Sequence, residues 1–216
     1  MRQSPVWLSM AAVSLVLLVA EIAVAQTSQK TPQNTNNSSS ATVEASQMVP
    51  AQAALSRAID GRNAKPGDEF RARLAEKVHL KNGSELPEGT ILMGKVGTDD
   101  MQQKGSSKLA LCLNEAQLKN GKTIPIKATI VGVYSPDAGS ALAPRGDQVA
   151  NDWTRSIYAI DQIDALSGVD LHSRITSQNS GVLVSAKKDD IKLKQGTELA
   201  LAIAPEGASA QSASSR

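Results

Sequence analysis

The sequence predicts an all-β domain, built as a small antiparallel barrel or sandwich. In several short runs, apolar residues alternate with polar or small residues, and a period of two is typical of strands that bury one face. Asn-Gly, Pro-Gly and similar pairs separate these runs at short intervals, which indicates tight turns. Many short strands joined by tight turns are typical of antiparallel barrels and sandwiches.

Four runs show the alternation most clearly. Over 70–74, apolar residues lie on one face and two arginines on the other. Over 109–113, leucines alternate with small apolar residues, which predicts a central strand covered on both faces. The runs 123–131 and 199–203 predict long strands, and 51–60 favours an opening strand over a helix. The predicted core consists of Phe70, Leu74, Val78, Ile91, Leu109, Leu111, Leu113, Ile124, Ile126, Ile130, Leu183, Leu199 and Leu201.

Turn residues separate these strands. Asn-Gly pairs at 82–83 and 120–121 each lie between strand-like runs, and such pairs predict type I′ hairpins, in which both turn residues have a positive φ. Proline with a glycine one or two positions later predicts turns at 65–68 and 86–89. A Gln-Gly pair at 195–196 separates the last two runs in the same way.

The N-terminus predicts export. Residues 1–25 contain a basic residue, Arg2, then an apolar stretch, and they end in Ala-Val-Ala. This is the pattern of a secretory signal peptide cleaved after Ala25. The alternative is an uncleaved membrane anchor, but Glu21 would lie inside such a span at a cost of about 2 to 3 kcal/mol. We therefore expect a periplasmic or secreted chain that begins at Gln26 and has no membrane span after cleavage.

Polar sequences flank the predicted barrel domain at 50–205. Residues 26–49 and 206–216 consist mainly of small and polar residues, and they contain too few apolar side chains to offset the entropy of ordering. We expect both segments to be disordered. The first is either a tether for the exported domain or a terminus without a role, and the sequence favours neither.

An insert at 135–180 interrupts the strand pattern. Within it, apolar residues recur at helical spacing, which predicts one short amphipathic helix at about 152–167. The favoured interpretation is that its apolar stripe covers an open end of the barrel. It can alternatively dock a partner or bind a membrane surface, although its acidic polar face disfavours anionic lipid. The candidate partner-docking residues are Trp153, Ile157, Ile160 and Ile163.

Composition and charge exclude several classes of function. Lys and Arg total 23 against 21 Asp and Glu, and a net charge of +2 provides no strong field for nucleic acid. Aromatic residues make up 2% of the chain, which is too few for a stacking surface. Cys112 is the only cysteine, so an internal disulfide and a multi-cysteine metal site are excluded. We expect Cys112 to be an inert, buried thiol.

The residues that could act in catalysis do not form a recognisable active-site motif. His79 and His172 lack the spacing of a metal site, and neither lies in the sequence context of a serine nucleophile. The acidic pairs at 99–100 and 189–190 fit solvated turns. We therefore expect no enzyme and no catalytic, cofactor-binding or metal site. The alternative is a small exported hydrolase or ligand-binding protein whose site uses His79, His172 or Asp170.

Four segments carry a family resemblance through their order and spacing. Residues 86–94 form a Pro-Gly turn that enters a strand ending in glycine, and 107–111 form the next strand. A hairpin at 118–126 and a strand with Gly-Thr at 191–203 complete the series. This series resembles the barrel domain of TrbI-type proteins, the channel components of conjugation and type IV secretion machines.

The resemblance covers 65–133 and 181–204 and implies a periplasmic β-barrel with an inserted helical element, used for assembly and not for catalysis. Members of this family usually have a retained anchor, a long proline-rich stretch and apolar inserted helices. This chain instead has a cleavable signal, a short polar linker and a partly acidic insert. We therefore expect a free-standing exported envelope protein that acts through protein partners or self-association, with secretion or conjugation machinery as the implied setting.

Overall fold

The described part of the chain is built from antiparallel strands. The computed structural model describes residues 45–136, 159–188 and 191–206, and over these ranges no α-helix forms and no helix is suited to crossing a membrane. The strands are β1 Val49–Leu55, β2 Ile59–Asp60, β3 Glu69–Leu74, β4 Val78–His79, β5 Glu85–Leu86, β6 Ile91–Gly97, β7 Ser107–Gln117, β8 Thr123–Tyr134, β9 Ala159–Leu166, β10 Val169–Arg174, β11 Gly181–Ser185, β12 Lys192–Leu193 and β13 Glu198–Pro205.

Six of these strands close into a barrel. The largest sheet contains nine strands in the order β6-β3-β1-β13-β8-β7-β11-β10-β9. An additional pairing of β6 with β7 closes the first six into a ring. Strands β11, β10 and β9 extend from the barrel, while β2 with β12 and β4 with β5 form two small sheets. The predicted all-β fold class is confirmed, and the architecture is a barrel.

Aliphatic side chains from alternate positions fill the barrel. In β3, Phe70, Ala72 and Leu74 are buried and the residues between them are exposed, because neighbouring side chains of a strand point to opposite faces. The predicted core residues are buried except for Ile91 and Ile124, which are half-buried. These two isoleucines lie at the first position of β6 and the second position of β8, where the strands reach the rim.

Strand β7 has the central position that its sequence predicts. One of its edges pairs with β6, and the other pairs first with β11 and then, near its end, with β8. Between these two stretches β7 and β8 separate, and Ser180 bridges them. Its N–H donates to the carbonyl of Leu111 at 2.7 Å, its carbonyl accepts the N–H of Ile130 at 2.7 Å, and its hydroxyl accepts the N–H of Leu113 at 2.8 Å.

Both predicted Asn-Gly hairpins are present, but their turn type differs from the prediction. Gly83 and Gly121 each have a φ of 83°, whereas Asn82 and Asn120 do not have a positive φ. A type I′ turn needs a positive φ at both positions, so that assignment is wrong. Each asparagine side chain accepts the backbone N–H two residues later at 3.0 Å, a local bond that favours an ordinary negative φ at the asparagine.

The predicted helix at about 152–167 is wrong over Ala159–Leu166, which form β9, and 152–158 lie outside the described residues. A bulge produces the helix-like spacing. Between two register pairs, β9 places residues 163–165 opposite Asp170 alone, and Asp164 has a φ of 53°. The extra residues shift the alternation, so apolar side chains three apart imitate a helical repeat. Gly168 accordingly belongs to the short turn between β9 and β10.

Candidate functional site

Strand β9 forms one edge of the large sheet and carries two of the four candidate docking residues. Among the described residues it pairs with β10 and with no second strand. Ile163 has 82% of its surface exposed, and Ile160 is half-buried. Trp153 and Ile157 lie outside the described residues. The structure therefore brings Ile160 and Ile163 to a sheet edge, whereas the sequence predicts a helix face.

Contacts to neighbouring strands hold β9 in place. His172 Nδ1 lies 2.6 Å from a carboxylate oxygen of Asp161, directly across the β9–β10 ladder. The side-chain oxygen of Gln162 accepts the N–H of Val133 in β8 at 3.3 Å. Leu166, at the end of β9, packs against the main core. The end of β9 thus joins the core, while Ile163 in its middle faces solvent.

The candidate residues of an exported hydrolase do not form one site, because each of them contacts a different residue. His79 Nδ1 lies 3.5 Å from Glu85 in the β4–β5 hairpin, and both side chains are exposed. His172 pairs with Asp161, whereas the carboxylate of Asp170 accepts the backbone N–H of Asp164 at 2.8 Å. Within the parts of the chain that the structure describes, no three His, Cys, Asp or Glu side chains are placed to hold a metal ion.

A hydrogen-bonded cluster lies where β7 and β8 separate, and it includes the seam turn, residues 177–180. The Asp100 carboxylate accepts the Ser177 hydroxyl at 2.8 and 2.9 Å, the backbone N–H of Gln178 at 2.9 Å and the side-chain amide of Asn179 at 2.7 Å. That amide also donates to the carbonyl of Thr98 at 2.6 Å. These bonds fasten the β6–β7 loop to the seam turn.

Hydrogen bonding favours the ionised form of Asp100. Desolvation acts to raise the pKa of this carboxyl, but the bonds from Ser177, Gln178 and Asn179 outweigh it and hold the pKa below its ordinary value of 3.8. The carboxyl is therefore ionised at neutral pH and acts only as an acceptor.

Two more polar groups contact the seam turn from the barrel wall. The Cys112 thiol lies 3.3 Å from the carbonyl of Gln178 and donates to it. Burial raises the pKa of this thiol, so it stays protonated at neutral pH and is a poor nucleophile. The Lys127 amine donates to the carbonyl of Ser177, and burial lowers the pKa of that amine. Both side chains thus support the backbone of the seam turn.

Sequence reasoning missed this cluster. The pair at 99–100 lies at a turn, and Asp100 is exposed, as the sequence predicts. The side chain of Asp99, however, is 10% exposed and accepts two backbone N–H groups of its loop and the amine of Lys108. The second acidic pair, at 189–190, lies outside the described residues. One available signal was the polar run at 177–180 directly before the fully buried β11, because polar side chains beside a buried strand need partners.

We expect the Asp100 cluster to make folding stability sensitive to acid. A carboxyl whose pKa is lower in the folded chain stabilises the fold above its unfolded value, and this contribution is lost as the pH falls through the folded pKa. The free energy of unfolding should therefore decrease below about pH 4. Urea titrations from pH 2 to 6 should show a shallower decrease for Asp100→Asn, and an intermediate one for Ser177→Ala. Equal slopes in all three proteins would contradict this.

Comparisons with known proteins find distant likeness among solved structures alone. No family model matches the chain, and no curated protein matches it. Among solved structures, ComB10 of the Com type IV secretion system of Helicobacter pylori matches over 73% of this chain and 84% of that chain, with 13% sequence identity and a TM-score of 0.33. Because both values are low, this likeness carries no statement about function. Membership of the TrbI-type family stays a prediction.

Proposed function

We propose that this chain is an exported, non-catalytic protein of the cell envelope that acts through protein–protein contacts at the edge strand β9. The observation that carries the proposal is Ile163, a large apolar side chain with 82% of its surface exposed on a strand that is paired on one side only among the described residues. An edge strand offers backbone N–H and C=O groups to another chain, and an exposed apolar side chain gains stability by burial in that contact.

Export is supported by the N-terminal sequence alone, with its positive residue, apolar stretch and Ala-Val-Ala ending before Gln26. The finer proposal, a place beside secretion or conjugation machinery, rests on the resemblance of 65–133 and 181–204 to TrbI-type barrels. A role without catalysis is supported by the contacts of the candidate groups. His79, His172 and Asp170 each have a different partner, and the Cys112 thiol is held protonated.

Crosslinking from native envelopes tests this proposal. The native chain is first isolated and its mass is measured by mass spectrometry. We expect a mass that corresponds to a start at Gln26. Wild type is then compared with Ile163→Asp, which places a charge on the β9 edge, and with Lys81→Asp, a matched control in the separate β4–β5 hairpin. We expect capture of the main partner to decrease at least about tenfold for Ile163→Asp, as for an interface hot spot, and to be unchanged for Lys81→Asp.

Two outcomes would contradict the proposal. If all three proteins capture the same partners in equal amounts, β9 is not the contact surface. If a full-length chain is recovered only from membranes, the segment before Gln26 is an anchor and export as a free protein is wrong. Light scattering on the purified variants distinguishes a partner protein from self-association, because loss of a dimer in Ile163→Asp would identify a second copy as the partner.

A further inference from the structure

Two cationic side chains approach each other at one end of the barrel. Arg73 is exposed on the outer face of β3, opposite Ile91 at the start of β6, and Lys119 is exposed in the hairpin between β7 and β8. Both lie over Gly89, in the turn that leads into β6. A Cβ added at Gly89 would lie 3.8 Å from Nη1 of Arg73 and 4.0 Å from Nζ of Lys119. The two nitrogens are therefore close enough for one small anion to contact both.

Backbone hydrogen bonds hold this turn in place. The N–H of Gly89 donates to the carbonyl of Leu74 at 3.0 Å, and the N–H of Leu74 donates to the carbonyl of Thr90 at 2.9 Å, so the turn is fastened to the last residue of β3. The N–H of Thr90 also closes the turn on the carbonyl of Pro87 at 3.1 Å. Gly89 has a φ of 78°, a conformation that favours glycine. Because glycine has no side chain, none of its atoms occupies the position that both cations approach.

Neither cation has a carboxylate partner among the described residues, where no ion pair includes Arg73 or Lys119. Two carboxylates are near in sequence or register. Glu88 directly precedes the glycine, and Glu198 lies in the same register row as Arg73. Ala54 separates those two, so their backbones are two strand spacings, or roughly 10 Å, apart. Like charges repel each other, and an anion bound to both cations would offset this repulsion.

We propose that Arg73 and Lys119 bind a phosphate monoester group over Gly89. Guanidinium and ammonium groups both bind phosphate in proteins. A phosphate monoester carries a charge of about −1.5 to −2 at neutral pH, which matches two cations better than the single charge of a phosphodiester. Both cations are exposed, so solvent weakens each ion pair and the expected affinity is millimolar. This site is separate from the contacts proposed for β9, so failure of one proposal leaves the other standing.

Two small phosphates test the preference for a monoester. Methyl phosphate is the monoester, and dimethyl phosphate is a diester, as in the headgroup of a phospholipid. Each is titrated into ¹⁵N-labelled protein at pH 7.5 and constant ionic strength, and binding is followed by NMR. We expect methyl phosphate to give saturable shifts of the amides of 88–90 and 118–120, and dimethyl phosphate to bind about threefold to fivefold more weakly. Equal affinities, or no saturable shift at tens of millimolar methyl phosphate, would overturn the proposal.

Single variants identify the binding residues. Arg73→Gln and Lys119→Gln should each weaken methyl phosphate binding about threefold to fivefold, because each removes one of two exposed ion pairs. Glu88→Gln should strengthen binding, since it removes a negative charge beside the site. The matched control is Lys95→Gln, which removes an exposed cation near the other end of β6 and should leave the affinity unchanged. Equal weakening in all three cation variants would mean that phosphate responds to the overall charge alone, and the site would be wrong.

Two variants of Gly89 test whether the cations meet there, without any added ligand. Asp and Asn both tolerate a positive φ, so Gly89→Asp and Gly89→Asn have a similar backbone cost and differ in charge. The new carboxylate would contact Arg73 and Lys119 in place of phosphate. Gly89→Asp should therefore have the higher urea midpoint at low salt, lose this advantage at 1 M NaCl, and no longer bind methyl phosphate. An equal or lower midpoint for Gly89→Asp at low salt would overturn the site.

Discussion

Replacing Leu111 with alanine should remove much of the stability of the barrel. Leu111 is 0% exposed in the middle of β7, and its register partners are Val96 in β6 and Gly181 in β11, so strands flank it on both sides. Truncating a buried leucine costs about 2 to 5 kcal/mol, through lost transfer energy and the cavity that remains. A single domain has a total stability of only about 5 to 15 kcal/mol. Urea denaturation followed by far-UV circular dichroism measures the loss.

The matched control is Ile163→Ala, which removes atoms from another branched aliphatic side chain. Because Ile163 is 82% exposed, its truncation should change the free energy of unfolding by no more than about 0.5 kcal/mol. Similar losses for both variants would show that β9 is buried in the native protein. A small loss for Leu111→Ala would show that β7 is not at the centre of the core.

Local patterns predict the strands of this chain well because strands and turns are each determined by a few residues that are neighbours in the sequence. The alternation at 70–74 and 109–113 gives β3 and β7, and each Asn-Gly pair is the turn of a hairpin. The same local reasoning fails for β9. A bulge at 163–165 changes the phase of the alternation, and a shifted period of two is indistinguishable in sequence from a helical repeat.

The seam cluster is not predictable in this way, since it depends on how strands diverge in space. Asp100 and Ser177 are 77 positions apart, and no local pattern pairs them. Composition alone, with a net charge of +2, predicts that the chain does not bind nucleic acid, and a single cysteine excludes a multi-cysteine metal site.

Gly97→Ala should destabilise the fold through one specific contact. A Cβ at Gly97 would overlap the side-chain oxygen of Asn179, whose amide is held by Asp100 and Thr98 and cannot easily move away. Such overpacking costs typically about 1 to 3 kcal/mol. The backbone of Gly97 is not in the left-handed region, so alanine introduces no strain of its own there. Thermal and urea unfolding of the single variant measure this cost.

A double-mutant cycle tests whether the side chain of Asn179 causes the loss of stability in Gly97→Ala. In an Asn179→Ala background the overlap is absent, and replacing glycine by alanine at a compatible position stabilises by about 0.4 to 1 kcal/mol through the unfolded state. The effect of Gly97→Ala should therefore change sign in that background. In an Asn114→Ala background, where the altered asparagine is exposed on β7, the effects should add. A cost that is equal in all backgrounds would mean that Gly97 does not accommodate Asn179, and that the seam turn is positioned by Ser180 and Asp100 without it.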